Sequence, residues 1–281
     1  MIHASDIKEI LFDRKRRLWT SYKLRTADYF YIVIEGAMEM VEYGRSNRWY
    51  NDYDSEIEFC KKHGFDFLQV WYKDGTLQGD KIAEPKEKTI LEKGFPVIIH
   101  ALFEIEDYDK YREDLLRILK YLHHKEVIIH PVCHPLQSDS IFKLAECNKQ
   151  LTELFYNNGI TVYIENNSKL DPINYLPNEL KIIFDCSPKT EFLLDIAHID
   201  SYEHLQKIID VRFPKCLHVA DKHFSVIHEH LPIGQGDLDF QKIFNNYIKG
   251  YNGKIIFEVV TDVDDEIKNS KDIIQTIVNQ V

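Results

Sequence analysis

The chain has 281 residues, of which 44% are hydrophobic, and a formal net charge of −11 at pH 7. Lys and Arg supply most of the affinity for nucleic acid by neutralising phosphates, so such an acidic chain is poorly suited to an extended nucleic-acid interface. No apolar run approaches the roughly 20 residues of a membrane span, and residues 1–17 contain no apolar signal segment. We therefore expect a cytoplasmic protein without a membrane partner.

The first residues have no clear role in a regular fold. We interpret residues 1–27 as an N-terminal extension, within which Ile7–Trp19 could form a short basic helix. Two roles remain open for this extension, because it could close the bottom of the fold or mediate a homo-oligomer.

Residues 28–95 predict two strands and one helix. The strands are expected over Tyr29–Glu35 and Phe67–Tyr72. Between them we predict a helix over Ser55–His63, ended by Gly64, since glycine is favoured just past a helix C-terminus. The polar segment Lys73–Lys88 contains two glycines and a proline and is typical of a mobile loop.

From residue 96 onward, apolar runs alternate with helix-like segments. Each run ends on a histidine or a carboxylate: 96–100, 126–130, 160–165, 192–195 followed by His198, 216–218, and 254–258. The helix-like segments are Asp107–His123, Asp139–Asn158, Ser201–Val211, Leu238–Tyr251 and Asp264–Val278. Strands that alternate with helices indicate βαβ units around a parallel sheet. With the two earlier strands, the sequence predicts an α/β fold, a (β/α)8 TIM barrel with an N-terminal extension, as a single domain over residues 1–281.

The ends of these runs carry the chemistry. In such a barrel the catalytic side chains cluster where the strands end, so we expect the histidines and carboxylates to meet on one rim. Imidazole and carboxylate are ligands that Zn and Mn share, and one site needs three or four of them. The sequence therefore predicts a divalent-metal centre of one to three ions, Zn or Mn.

This arrangement resembles the xylose-isomerase-like TIM-barrel superfamily, which contains sugar and sugar-phosphate isomerases and epimerases and the endonuclease IV family. The superfamily core has a glutamate after strand five, an Asp-x-x-His after strand six, a histidine after strand seven and a glutamate after strand eight. The matching residues here are Glu165, Asp195 with His198, His218, and Glu258. The resemblance implies the fold predicted above and a metal-dependent enzyme.

Further residues resemble the endonuclease IV branch. That branch adds a histidine after strand three, a His-Pro after strand four, and an Asp-x-His before a glycine-rich turn; this chain has His100, His130-Pro131, and His228-Glu229-His230, with His228 replacing the aspartate. The resemblance implies three metal sites, held by His100, His130 and Glu165; by Glu165, Asp195, His218 and Glu258; and by His198, His228 and His230. Sugar epimerases usually place an arginine where His230 falls.

The residues expected to contact the substrate follow the early strands. Arg45 and Arg48 lie beside Trp49 and Tyr50 and could clamp a phosphate or stack on bases, although an ordinary polar loop is the more common origin of such a segment. Tyr72 and Phe103 are interpreted as walls of the pocket. Asp221 is a candidate acceptor for a ligand imidazole, and a surface aspartate is the alternative.

Two functions follow from the resemblance. In the first, the protein is an isomerase or epimerase of a small sugar or sugar phosphate, in which Glu165 and Glu258 exchange a carbon-bound proton through an enediolate and His198 assists. The alternative is an endonuclease IV-like phosphodiesterase that uses a metal-bound hydroxide. The acidic charge and the arginine-free segment Lys73–Lys88 favour the small molecule over nucleic acid.

Overall fold

The computed structural model describes residues 8–12, 18–22, 41–79, 82 and 84–280. It divides into two units, Met1–Val41 and Glu42–Val281. In the first unit, β1 (Lys8–Phe12) and β2 (Leu18–Tyr22) pair antiparallel. The expectation of a helix within residues 7–19 is therefore wrong, because the branched and aromatic residues of these two runs suit a paired strand better than an isolated basic helix.

The second unit contains a closed ring of eight parallel strands among the described residues. These are β3 (Glu42–Ser46), β4 (Phe67–Lys73), β6 (Val97–Glu104), β7 (Glu126–Val132), β8 (Thr161–Glu165), β9 (Glu191–Asp195), β10 (Cys216–Val219) and β11 (Lys254–Phe257). The ring closes because β3 pairs with both β4 and β11. The predicted (β/α)8 TIM barrel is confirmed.

Helices connect the barrel strands. They are α1 (Tyr53–His63), α2 (Lys86–Lys93), α3 (Ile105–Tyr121), α4 (Ser140–Tyr156), α5 (Pro177–Cys186), α6 (Tyr202–Val211), α7 (Phe240–Lys242), which continues as a π-helical turn over Ile243–Tyr247, and α8 (Asp264–Val278). Helix α1 matches its prediction, and Gly64 ends it with a φ of 66°. Of the helices in the described part of the chain, none is both long and apolar enough to cross a membrane.

The structure corrects the beginning of the barrel. The segment Tyr29–Glu35, predicted as the first strand, lies outside the described residues, and Glu42–Ser46 takes the place between β4 and β11. This strand was missed because its sequence carries a charge and a glycine instead of an apolar run. The expected loop Lys73–Lys88 contains the short strand β5 (Thr76–Leu77), antiparallel to β4, and the first residues of α2.

Inside the barrel, one apolar layer lies below the mouth. It consists of one buried residue from each of seven strands: Phe67, Ile98, Ile128, Tyr163, Leu193, Cys216 and Ile256. The remaining strand, β3, contributes Gly44, which pairs with Phe67 and with Ile256. A Cβ atom on Gly44 would overlap the Phe67 ring, so the glycine leaves the space that this ring fills.

We expect Gly44→Ala to lower the free energy of unfolding by about 1–3 kcal/mol, because the added methyl group overpacks this layer. Equilibrium denaturation at fixed pH measures the change. The double variant Gly44→Ala/Phe67→Leu, in which the ring is removed, should lose less than the sum of the two single variants. Strict additivity would show that the glycine and the ring do not share this space.

Candidate metal centre

The donors occupy one layer above the apolar layer. Each lies two positions further along its strand than the apolar residue, and side chains of a strand alternate between its two faces, so all turn into the barrel. The residues are Gln69, His100, His130, Glu165, Asp195, His218 and Glu258, and all are buried. Because of this alternation, the six predicted ligands form one ring of inward-facing side chains. Gln69, which was not predicted, also belongs to the ring.

Glu165 lies at the centre of this ring and is fully buried. Its Oε1 is 3.0 Å from His218 Nδ1, and its Oε2 is 3.0 Å from His130 Nδ1. His100 Nε2 lies 2.8 Å from Oε2, although without the alignment of a hydrogen bond. Three imidazoles thus surround one carboxylate.

His218 joins this carboxylate to two others. Its Nδ1 is 3.0 Å from Glu258 Oε2 and 3.7 Å from Asp195 Oδ2. As a result Glu165, Asp195, His218 and Glu258 each offer one donor atom within 4.8 Å of the others. Three carboxylates and one imidazole at this spacing suit a single divalent ion such as Zn or Mn.

A second cluster consists of His198, His228 and His230, whose donor atoms also lie within 4.8 Å of one another. His198 ends a 3₁₀ turn (Ile196–His198) after β9, and its Nδ1 donates to Asn166 O at 2.8 Å. The buried atoms His198 Nε2, His230 Nε2 and Asp195 Oδ2 have no hydrogen-bond partner within the described structure. Buried donors and acceptors without partners are the chemistry that could hold an ion or a polar ligand at this place.

The third predicted group differs in composition. Among the described residues, a third group of donor atoms within 4.8 Å of one another comes from His100, Glu165 and His218. His130 contacts Glu165 but is not a member of this group, and its ring centroid lies 5.6 Å from that of His100. All nine predicted ligands thus lie at the barrel mouth. In this third group, however, the member beside His100 and Glu165 is His218 and not the predicted His130.

Asp221 positions the segment that carries His228 and His230. Its carboxylate accepts hydrogen bonds from the backbone N–H groups of Lys222, Gly234, Gly236 and Leu238. Its own backbone forms a bridge with Leu231. Both alternatives for Asp221 are therefore wrong, because its carboxylate accepts from backbone N–H groups instead of a ligand imidazole and is fully buried instead of lying on the surface. The carboxylate instead folds the glycine-rich turn back onto β10, where a Cβ on Gly236 would overlap it.

Burial and mutual charge set the protonation of the centre. Burial alone would raise the pKa of Glu165, but the imidazoles of His218, His130 and His100 outweigh it and hold the pKa well below its usual value. Burial opposes protonation of His218, but Glu258 and Glu165 outweigh burial and raise its pKa well above the usual value. By contrast, burial together with the neighbouring His230 and His198 lowers the pKa of His228 to about 4.

Arg45 and Arg48 do not lie in the centre, so the prediction that they contact the substrate is wrong. The Arg45 side chain is 1% exposed, lies under α1 with Nη2 2.7 Å from Glu56 Oε2, and stacks over the Phe59 ring. Arg48 is paired with Glu56 and Asp264. A buried arginine retains a carboxylate partner because its isolated charge would be costly, so both side chains support the β3–α1 connection.

The prediction that Tyr72 and Phe103 line the pocket is also wrong, because both side chains face away from the centre. The Tyr72 hydroxyl donates to Asp114 of α3, and Phe103 packs on Tyr108 and Tyr111 of the same helix. The residue before Tyr72 is on the opposite face, where the Trp71 ring lies 4.3 Å from His100. For Phe103, which lies three positions after His100 in β6, strand alternation could have identified the outward face.

Gln69 and Ser46 are polar residues of the centre that the sequence analysis did not identify. Gln69 is fully buried and contacts His100, His218 and Glu258, and Ser46 Oγ accepts from Gln69 and from Trp71. Gln69 is two positions after Phe67 in β4, so its place in the layer follows from the same period as the ligands. It was missed because amides are uncommon metal ligands.

Comparison with known proteins agrees with the fold. Residues 57–278 match the family model described as xylose isomerase-like TIM barrel. D-psicose 3-epimerase from Clostridium cellulolyticum H10 superposes with a TM-score of 0.64 at 14% identity, over 85% of this chain and 99% of that one. For 3-keto-D-glucoside 4-epimerase from E. coli the TM-score is 0.63 at 19% identity, over 84% and 99%. No curated protein sequence matches.

A third similar structure is a probable 3-DHS dehydratase from Bacillus anthracis, with a TM-score of 0.63 at 12% identity, over 84% of this chain and 99% of that one. At these identities the likeness establishes the fold. Because the family model matches most of the chain, the chain belongs to the xylose isomerase-like TIM barrel family.

The metal-free protein should lose stability as the pH rises above about 6.5, the ordinary pKa of histidine. Despite burial, which opposes protonation, nearby carboxylates raise the pKa values of His218, His130 and His230 in the folded state. On these three histidines the folded state binds more protons than the unfolded state, so the free energy of unfolding falls with pH. His100, His198 and His228, whose pKa values burial lowers, oppose this trend only near pH 6.5, where the unfolded chain still protonates them in part, so the fall is steepest above about pH 7.5.

Thermal unfolding in chelator between pH 6.5 and 8.5 measures this slope. The same series with Zn²⁺ serves as the comparison, because metal binding requires deprotonated ligands and its stabilisation should grow with pH. A flat or rising curve in chelator would contradict the charge balance derived for the centre.

Proposed function

We propose that the protein is a divalent-metal-dependent isomerase or epimerase of a small sugar. The observation that carries the proposal is the pair of buried glutamates at one ligand group. Glu165 on β8 and Glu258 after β11 both lie 3.0 Å from His218 Nδ1. Two carboxylates, one on β8 and one after β11, thus come together where one small molecule could contact both.

The reaction would move a proton between carbon and the two carboxylates. One glutamate, in its ionised form, removes the proton from the carbon beside the substrate carbonyl, which leaves an enediolate. The other glutamate enters the step protonated and returns its proton to the opposite face or to the neighbouring carbon, so the two exchange protonation states. A bound ion would acidify that carbon by polarising the adjacent oxygens. Acidification of the carbon is needed because Glu258 is a weak base. Burial would raise its pKa, but His218 outweighs burial and lowers it, and a weaker base removes a carbon-bound proton less readily.

His198 is suited to hold a substrate hydroxyl. Its Nδ1 is protonated because it donates to the Asn166 carbonyl, so neutral His198 presents Nε2 as an acceptor. Burial is the main reason that its pKa is lowered, which keeps the ring neutral. His228 and His230 extend this polar wall, since their rings lie 5.1 and 5.2 Å from that of His198.

The charges around the centre favour an uncharged sugar over a sugar phosphate. Arg45 and Arg48, the residues predicted to bind a phosphate, are engaged by Glu56 and Asp264. The similar epimerases are named for sugar substrates, which supports the same substrate class here.

A second candidate is metal-dependent hydrolysis of a phosphoric ester. The observation that favours it is the His198–His228–His230 cluster, which offers donors for an ion beyond the one that the four-residue group can hold. Hydrolases of this kind use several ions to stabilise the attacking and leaving oxygens. The two candidates therefore differ in the role of the three histidines.

Glu258→Gln should lower the rate of proton exchange between substrate carbon and solvent by about 10²–10⁴-fold, the usual contribution of a general base. Incorporation of deuterium from D2O into a panel of neutral ketoses and aldoses, followed by NMR with Mn²⁺- or Zn²⁺-loaded protein, measures this rate. Glu203→Gln is the matched control, because Glu203 lies exposed on α6 and pairs with Lys207. If the loaded wild-type protein exchanges no sugar proton, the proposal fails.

His228→Ala/His230→Ala should leave the number of bound metal ions unchanged and weaken the apparent affinity for the sugar. The reason is that in an isomerase these side chains contact the substrate and not a required ion. Metal analysis of the dialysed protein, together with the KM for exchange, separates the cases. Loss of about one equivalent of metal, accompanied by loss of phosphodiester hydrolysis in the same variant, would establish the second candidate instead.

A further inference from the structure

Gln69 is a neutral side chain that contacts both the imidazoles and a carboxylate of the central layer. Its Nε2 lies 3.1 Å from Glu258 Oε1, 3.1 Å from His100 Nδ1 and 3.2 Å from Ser46 Oγ. Its Oε1 lies 2.8 Å from His218 Nε2. The amide is fully buried, so these contacts are not shared with solvent.

Glu258 determines which way this amide faces. An ionised carboxylate only accepts hydrogen bonds, and an amide oxygen beside it would place two acceptors in contact. The NH2 group of Gln69 must therefore face Glu258, which leaves its oxygen facing His218. The orientation of the amide follows from the charge of the carboxylate.

This orientation assigns the protons of His218. An amide oxygen accepts, so His218 Nε2 carries a proton and donates it to Gln69. In the neutral ring the other nitrogen, Nδ1, then has a free lone pair, and Nδ1 is the atom that lies among Glu165, Glu258 and Asp195. Gln69 thus selects the tautomer of His218 that can bind an ion within the four-residue group.

The same amide has the opposite effect on His100. An amide nitrogen does not accept, so at 3.1 Å His100 Nδ1 must be unprotonated. The proton of the neutral ring then lies on Nε2, which is 2.8 Å from Glu165 Oε2. In this tautomer the N–H of His100 is on the side of Glu165, although not aligned for a hydrogen bond, and the ring has no lone pair for an ion on that side.

We propose that Gln69 is a positioning residue that sets the two imidazoles in opposite tautomers, which makes His218 an Nδ1 ligand and His100 a partner of Glu165 without a bond to the metal. The inference rests on the proposed metal-dependent function and narrows it to a centre built on Glu165, Asp195, His218 and Glu258. Interactions of this kind orient ligands and typically change metal affinity by about 10–100-fold.

The direct test is ¹⁵N NMR of the histidine rings in wild-type protein loaded with Zn²⁺, with signals assigned through histidine-to-glutamine variants. We expect His218 to show a protonated Nε2 and a metal-bound Nδ1, and His100 to show a protonated Nε2 and an unligated Nδ1. A metal-bound nitrogen in His100 overturns the inference and leaves the proposed function standing. Failure of the protein to bind Zn²⁺, Mn²⁺ or Co²⁺ overturns both.

A second test compares Gln69→Leu with Val70→Ala, measured by Co²⁺ absorption titration. Val70 is fully buried on the neighbouring position of β4, so its truncation damages packing without touching the imidazoles. We expect Gln69→Leu to weaken Co²⁺ binding by about 10–100-fold and Val70→Ala to leave it within about twofold. Equal effects of the two variants would reduce Gln69 to a packing role and contradict the proposal.

Discussion

The burial of the Glu165 carboxylate is the constraint on which the centre depends. An isolated ionised carboxylate in a protein interior costs several kcal/mol in lost hydration, and such a group persists only when it is paired. Here His218, His130 and His100 approach its two oxygens within 2.8–3.0 Å. The same arrangement holds a proton on His218 in the absence of metal, and a bound cation would take over the compensating charge. The histidines therefore serve the stability of the barrel mouth as well as its chemistry.

The apolar layer beneath the donors strengthens these interactions. Residues such as Ile98, Ile128 and Leu193 close the barrel below the site and exclude water from one side of it. Electrostatic attraction is stronger where the effective dielectric constant is lower, so the floor increases both the pairing of the charges and the cost of leaving one unpaired. Because layer and site are separated by two residues on each strand, a slip of one residue would expose the donors to the helices instead.

Charged residues that are not part of the centre support the same site indirectly. The buried pair of Arg45 and Glu56 connects β3 to α1, and Glu56 also holds Arg48 at the start of that connection. On the opposite side of the chain, Asp221 holds the turn that returns the polypeptide from His230 to α7. Breaking a buried charge from its partner is strongly destabilising, so these contacts hold the connecting segments without taking part in the chemistry.

The sequence by itself determined the barrel fold and the donors from the third barrel strand onward, beginning with His100. Buried parallel strands require apolar runs and ligands require ionisable ends, and both signals are local, as in Glu126–Val132 with His130. The first barrel strand, Glu42–Ser46, was not predictable in this way, because it contains a glycine and an arginine that is buried by pairing with Glu56 of the following helix. Whether Trp71 or Tyr72 faces into the barrel was decided by the register with the neighbouring strand, in which Trp71 pairs with His100. The grouping of the ligands and the role of Gln69 were decided only by the tertiary structure, because they depend on contacts between residues as far apart as Gln69 and Glu258, and such contacts exist only once the ring has closed.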